Sequence, residues 1–268
     1  LITSDTPIVN GPAMMIGVAE KGYMTLRVTA PAVGGHSSMP PAEIGSVNLA
    51  KAIVAINDNQ FPMELRGPAA SMLDVLAKKA GGMTKVAAAN KWLLGGTIKS
   101  QMAKSPNSAA LLHTTIAPTM LEGSPKENVL PQSANALVNY RIAPWDNSKL
   151  VLERTRAVTA NLGVKVDYTE RAPREPTPVS SATSLGWQLI VASAQAGHPG
   201  VIASPYLVVG GTDSRSMTPI SDDVYRFAAI SLATSETKMI HGTNEHMTVK
   251  NLESLIAFYT RLLATAAG

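Results

Sequence analysis

Residues 21–30, KGYMTLRVTA, set Met24, Leu26 and Val28 against Tyr23, Thr25 and Arg27, the two-residue alternation of a strand with one face in a core. After the Gly-, Ser- and Pro-rich GGHSSMPP at 34–41 the period changes: Ile44, Val47, Ala50, Ile53 and Val54 recur at helical spacing, which predicts a helix packed on a sheet. HTTIAPTM and ANALVNYRI then flank the turn-rich EGSPKENVLPQS and read as an antiparallel pair. SKLVLERTRAVTANLG predicts a helix ending at Gly163, and VKVDYTE another strand. The result is a strand-helix-strand-strand-helix-strand unit. It is interrupted by residues 60–112, Ala-, Lys- and Met-rich with breaks at Gly81-Gly82 and Gly95-Gly96, which read as short helices of an insertion.

Beyond residue 168 the pattern differs. TERAPREPTPVSS, residues 169–181, is the best linker candidate. A helix over SLGWQLIVASAQAG leads to PYLVV, an apolar run of the kind found in strands buried on both faces. Gly210-Gly211-Thr212-Asp213 follows, where ligands collect at the carboxyl ends of strands in open α/β sheets. The chain closes on an amphipathic helix carrying Leu252, Leu255, Ile256, Tyr259, Leu262 and Leu263, with Thr248 as its N-cap. At 268 residues and 45% hydrophobic content there is material for two α/β domains.

Charge and composition exclude several functions. A net charge of +4, from 23 basic and 19 acidic residues spread along the chain without Lys/Arg runs, argues against a nucleic-acid partner. No apolar stretch is long enough to span a bilayer, and LITSDTPIVNGPAMM lacks the parts of a signal peptide, so no compartment is assigned. The first residue is Leu, which suggests a chain beginning partway through a longer protein. With no cysteine, any metal must be held by His, Asp or Glu.

Of the five histidines, His36 sits in a Gly- and Ser-rich turn between strand and helix, and His241 lies in MIHGTNEHM, after an apolar run and before a glycine turn. His113 and His198 read as structural. A zinc hydrolase needs at least three protein ligands, a position for water and commonly a carboxylate base. Spacing alone does not assemble that set, since there is no HExxH, and no HxD or Glu-Glu pair beside an apolar strand.

VAEKGYMTLRVTAP with GGHSSMPP, ENVLPQSANALVNYRIAPWD at 127–146, PYLVVGGTDSR at 205–215, VYRF at 224–227 and IHGTNEH at 240–246 resemble, in order and separation, the successive signatures of the M20 zinc peptidases. The nearest branch is that of carboxypeptidase S and the Gly-Xaa carboxypeptidase-like N-acyl-amino-acid hydrolases, in which a helical insertion enlarges the lid. The resemblance implies a ferredoxin-like βαββαβ lid and dimerisation domain with a helical insertion at 60–112, plus the C-terminal remnant of an α/β zinc-exopeptidase catalytic domain. The implied divisions are 1–19, the end of a catalytic segment; 20–175, the lid; and 176–268, the rest of the catalytic part.

It also implies a homodimer through the lid, two zinc ions per complete site, and a substrate that is a peptide or an N-acyl amino acid. His241 matches the family's late metal-binding His, while the remaining ligands and the base would precede Leu1. His36 matches the lid His that donates to the developing oxyanion in the partner's site. Asn128 resembles the Asn that hydrogen-bonds substrate. Arg141 resembles the Arg that grips a free carboxylate, with Gly210, Gly211 and Thr212 presenting N–H groups to the same carboxylate. Two positions depart from the family pattern, Ser216 where His is frequent and His246 where Arg is frequent. The alternative expectation is a non-catalytic dimerisation or binding module.

Overall fold

The computed structural model describes residues 1–6, 8, 9 and 11–267. Two β-sheets grow from one continuous stretch of chain. β2 (Gly11–Glu20) and β3 (Gly22–Pro31) are separated only by Lys21, and each lies inside a different sheet.

β3 pairs on one side with β7 (Ser133–Ile142) and on the other with β8 (Lys165–Tyr168), while β5 (Thr115–Glu122) pairs with β7. The order is β5-β7-β3-β8, antiparallel throughout. With α1 (Gly45–Asp58) after β3 and α6 (Ser148–Thr159) between β7 and β8, this is the ferredoxin-like unit expected from the alternating periods. The alternation has a physical cause. Met24, Leu26 and Val28 on β3 and Ala136, Val138 and Tyr140 on β7 turn to one face and pack with Leu49, Ile56 and Val151 from the two helices. Tyr140 is fully buried yet satisfied, its hydroxyl 2.9 Å from that of Thr155, and burial raises its phenol to about 12. Asn147 caps α6 by accepting the Leu150 N–H at 2.9 Å. The helix stops at Thr159, and Gly163, the expected end, follows with φ +66, a left-handed conformation suited to glycine.

The second sheet runs β10-β1-β2-β9, from β1 (Ile2–Thr6), β2, β9 (Ile202–Val208) and β10 (Ser231–Leu232). β1 and β2 form an antiparallel pair that sequence periodicity did not announce, because β2 is buried on both faces and so does not alternate. On one face Ile2, Met14, Ile16 and Val18 meet Trp187 of α7 (Leu185–Gln195) and Phe258 of α8 (Val249–Ala266). On the other, Ala13, Ala19 and Leu207 meet Ala69, Met72 and Leu76 of α2 (Gly67–Lys79). β9 is the outer strand beside β2 and only partly buried, a correction to the reading of PYLVV as buried on both faces. Thr248 caps α8, accepting the Asn251 N–H at 3.2 Å.

The insertion is α2, α3 (Gly82–Ala89), α4 (Lys91–Met102) and α5 (Pro106–Ala109). It leaves the chain between α1 and β5 but buries α2 on the second sheet. Its other helices follow through a satellite core of Leu73, Ala77, Ala88 and Ile98.

The Pro-rich 169–181 segment is pinned along β2 and β3 rather than hanging as a loose linker. Arg174 exchanges backbone hydrogen bonds with Tyr23 at 2.8 Å, the Thr177 N–H reaches the Glu20 carbonyl at 3.1 Å, and that of Ser180 reaches Val18 at 2.9 Å. Prolines between these residues lack donors, so only the intervening positions are tied. At Gly22 strand and strap run too close for a side chain: a Cβ there would lie 2.6 Å from the Arg174 carbonyl oxygen and 2.8 Å from the Pro176 nitrogen.

Candidate functional site

A two-stranded ribbon of β4 (Gly35–His36) and β6 (Val129–Leu130) brings two candidates together. His36 stands opposite Val129, and the Ser37 N–H donates to the Asn128 carbonyl at 3.2 Å. Both His36 and Asn128 are exposed. The His36 ring is oriented by Ser38, whose backbone N–H donates to Nδ1 at 3.2 Å and whose hydroxyl lies 2.8 Å from the same atom. A backbone N–H can only donate, so Nδ1 accepts and the neutral ring carries its proton on Nε2. The turn thus holds an imidazole as an N–H donor. Ser38 was not singled out from sequence, although it lies inside GGHSSMPP.

Arg141 belongs to a different place. It is opposite Tyr23 on β3 and Thr115 on β5, with its guanidinium carbon 4.8 Å from the Tyr23 ring centroid. Arg171 approaches the same ring at 5.6 Å. Asn139 shares the face and is spent internally, donating to the Met24 carbonyl at 3.3 Å and the Thr25 hydroxyl at 3.2 Å. Two guanidinium groups around one phenol ring form a cationic shelf suited to a carboxylate.

The 210–215 loop adjoins that shelf through a buried carboxylate. Glu20, at the end of β2, accepts from the Thr212 N–H at 3.2 Å, the Thr212 hydroxyl, the Ser214 hydroxyl at 2.8 Å and Arg226 Nε at 3.1 Å. Arg215 Nη2 lies 3.5 Å from Glu20 and donates to the Lys21 carbonyl at 3.2 Å. Arg215 therefore pairs with Glu20. Burial pushes the Glu20 carboxyl up, but the donors from Thr212, Ser214 and Arg226 outweigh it and hold it below the ordinary range. The N–H of Thr212 is committed to this anchor. Gly210 and Gly211 precede it in a bend where an added Cβ would meet nothing within 4 Å, which leaves their backbone approachable.

Lys21, the residue between the sheets, has its ammonium buried against the carbonyls of His113 at 2.7 Å and Ala110 at 2.9 Å. Burial, reinforced by Arg141, lowers it to about 7. Glu20 and Lys21 thus point the two ways out of the junction, one to the 210–215 loop and one to the end of the insertion. Sequence analysis missed both, and Arg226 with them. The signal was a charge pair closing the apolar run AMMIGVA, and a charge kept at the end of such a run requires partners.

His241 has φ +59, a conformation uncommon outside glycine, and its side of the chain is exposed. The 3₁₀ turn Thr234–Met239 before it starts beside Asp5, whose carboxylate accepts the Thr234 N–H at 2.6 Å. Among the described residues no three His, Asp or Glu gather into a group that could hold a metal. A lone imidazole does not by itself fit a pair of metal ions. His113 supports Lys21, and His198 Nε2 lies 3.0 Å from the Ser254 hydroxyl, tying the end of α7 to α8.

The candidates therefore fall at opposite ends of the ferredoxin-like sheet. Arg141 pairs with Tyr23 at the start of β3, whereas β4, with His36, follows its end at Pro31. Eight residue steps separate Tyr23 from Pro31, about 26 Å at ~3.3 Å per residue.

Residues 18–167 match the sequence family described as the M20 peptidase dimerisation domain. The chain is 34% identical over 257 residues to the N-fatty-acyl-amino acid synthase/hydrolase PM20D1.1 of Danio rerio, covering 95% of this chain and 50% of that protein. It is 30% identical to the probable carboxypeptidase S-like 2 of Dictyostelium discoideum, covering 96% of this chain and 49% of the relative. The chain thus spans about half the length of the curated relatives it matches. Among solved structures, the M20 family metallo-carboxypeptidase Sso-CP2 of Sulfolobus solfataricus superposes with a TM-score of 0.61 at 15% identity, over 94% of this chain and 60% of that one. Human carnosine dipeptidase 1 follows at 0.58 and 13%, over 94% and 57%.

Proposed function

We propose, from the premise that this chain belongs to the M20 peptidase family, that it forms the lid and the substrate-orienting part of a dimeric, zinc-dependent amide hydrolase. The substrate is a peptide losing its C-terminal residue or an N-acyl amino acid. The premise supplies the reaction class, and the separation of His36 from Arg141 along β3 carries the rest of the reading.

On this reading residues 20–175 are the lid, and residues 1–19 with 176–268 belong to the catalytic part. Arg141, stacked on Tyr23, takes the free carboxylate of the substrate in a bidentate grip, and the N–H groups of Gly210 and Gly211 complete that cradle. Thr212 acts as a positioning residue, because its donors hold the loop to Glu20. His36, with its proton on Nε2, donates to the oxyanion that develops at the scissile carbonyl, and Asn128 beside it hydrogen-bonds the acyl side. These two act in the partner's site, since the β3 ladder holds them too far from Arg141 of their own chain. Two lids related by a two-fold axis bring each distal turn over the other subunit's cationic shelf. His241 is one zinc ligand, and the other donors come from residues outside this sequence.

The test is complementation between subunits in a polypeptide that supplies those donors. His36→Ala and Arg141→Ala proteins, each strongly impaired, are mixed and allowed to exchange. One site of the mixed dimer then has both residues intact, so activity returns. No recovery despite verified exchange means that both residues serve the site of their own chain and refutes the arrangement. Two equivalents of zinc and full hydrolysis by the 268-residue chain alone would refute the need for outside donors. A dimer without any such activity, whatever is added, would favour the binding-module reading.

A further inference from the structure

The helical insertion is chemically unlike the rest of the chain. Between residues 67 and 110 stand Lys78, Lys79, Lys85, Lys91, Lys99 and Lys104, a single acidic residue, Asp74, and no arginine. This segment carries +5, leaving 17 basic and 18 acidic residues elsewhere. By count the basic residues are spread along the sequence, but by element the positive excess sits on the insertion alone. Asp74 is paired with Lys91, which leaves five lysines without an acidic partner inside the insertion, of which Lys78, Lys79, Lys85 and Lys104 are exposed.

Apolar side chains face water beside them. Trp92 is 83% exposed, Met83 75%, Leu93 65% and Val86 49%. α3 and α4 meet at Asn90, so Val86, Trp92 and Leu93 flank that corner, and Met83 lies about two helical turns back along α3. The corner is not a loose end. Ala88 and Ile98, on the same two helices, are buried against Leu73 and Ala77 of α2, so both helices are docked while Trp92 and Leu93 point elsewhere. A shallow hollow of about 410 Å³, lined by Leu65, Lys91, Trp92, Gly95, Gly96 and Lys99, lies next to the indole.

The charge decides among partners. Protein interfaces are enriched in arginine and depleted of lysine, and here every cation is lysine. A nucleic acid would leave Met83, Val86 and Leu93 without a role. A bilayer with anionic headgroups uses every group present. Lysine ammoniums meet the headgroups while their stems lie along apolar surface, an amphipathic indole sits at headgroup level, and aliphatic tips reach the acyl boundary. We propose that the α3–α4 corner docks on an anionic lipid surface, with Trp92 and Leu93 as the apolar anchor and the insertion lysines as the electrostatic one. The proposal uses none of His36, Arg141, Thr212 or His241 and stands apart from the hydrolase reading.

The experiment sediments the full chain with vesicles of phosphatidylcholine alone and of equal phosphatidylcholine and phosphatidylglycerol, at low and high salt. The expected result is partition into the anionic vesicles at least about tenfold stronger, weakened by salt. Trp92→Ala/Leu93→Ala and Lys85→Gln/Lys104→Gln should each weaken it by about tenfold with the thermal midpoint unchanged, because all four side chains are exposed. Brominated acyl chains should quench emission in the parent and not in Trp92→Phe, which retains Trp145 and Trp187. Equal partition into both vesicle types, or parental partition by the Trp92→Ala/Leu93→Ala variant, overturns the proposal. So does quenching that persists in Trp92→Phe.

Discussion

The two places proposed to bear on substrate are built in opposite ways. The turn of His36 and Asn128 is exposed and held by a two-residue ribbon and one serine. The 210–215 loop hangs on a carboxylate with no exposed side-chain surface, which faces Arg226, 6% exposed, and Arg215. The first can be altered at little cost to folding, and the second cannot. A distal turn, on the proposed reading the part that reaches another subunit, is tuned by its own few contacts. A loop beside the junction of two sheets inherits the cost of that junction.

The largest expected effect breaks the buried side. Glu20→Ala leaves Arg226 buried without its anion and should lower unfolding free energy by about 3–5 kcal/mol, read from denaturant melts. Because the Glu20 carboxyl is held below its ordinary value, its contribution is present above the ordinary carboxylate range and is lost as pH falls through the depressed value. The parent should therefore lose stability in acid more steeply than Glu20→Gln.

The Lys21 effect has the opposite sign in pH. The unfolded chain keeps this proton up to 10.5 and the folded chain releases it near 7, so the unfolded state binds more protons between those values and stability rises with pH across that window. The rise should reach at most about 5 kcal/mol and vanish in Lys21→Met. A flat parental profile would mean that the ammonium is not desolvated.

On the exposed side, His36→Ala should leave the melting midpoint unchanged and lower kcat by about a hundredfold in the metal-complete protein, the scale of one lost oxyanion donor. An unchanged kcat removes His36 from the chemistry. The smallest effect is Arg141→Lys, which loses the planar fork and the stack on Tyr23. It should raise KM about tenfold for substrates with a free carboxylate and spare their carboxamides.

The ferredoxin-like unit was legible because its strands each cover one core face, so Met24, Leu26 and Val28 alternate with polar neighbours. β2 was not, because α2 and the α7–α8 pair bury both its sides and erase the alternation. His36, Asn128 and Arg141 became candidates through motifs. Their separation was invisible there, since distance along β3 depends on a register that no local pattern states. Glu20, Lys21 and Arg226 escaped for a related reason: their partners stand up to 206 positions away.

Gly22 buries no side chain, makes no candidate contact with substrate and sits in no turn. Its only duty is to have no Cβ where β3 passes the strap at Arg174 and Pro176. In a saturation library that position should be as intolerant as the centre of the core, with alanine already harmful. A site blank to every chemical criterion would then register as one of the most constrained in the chain.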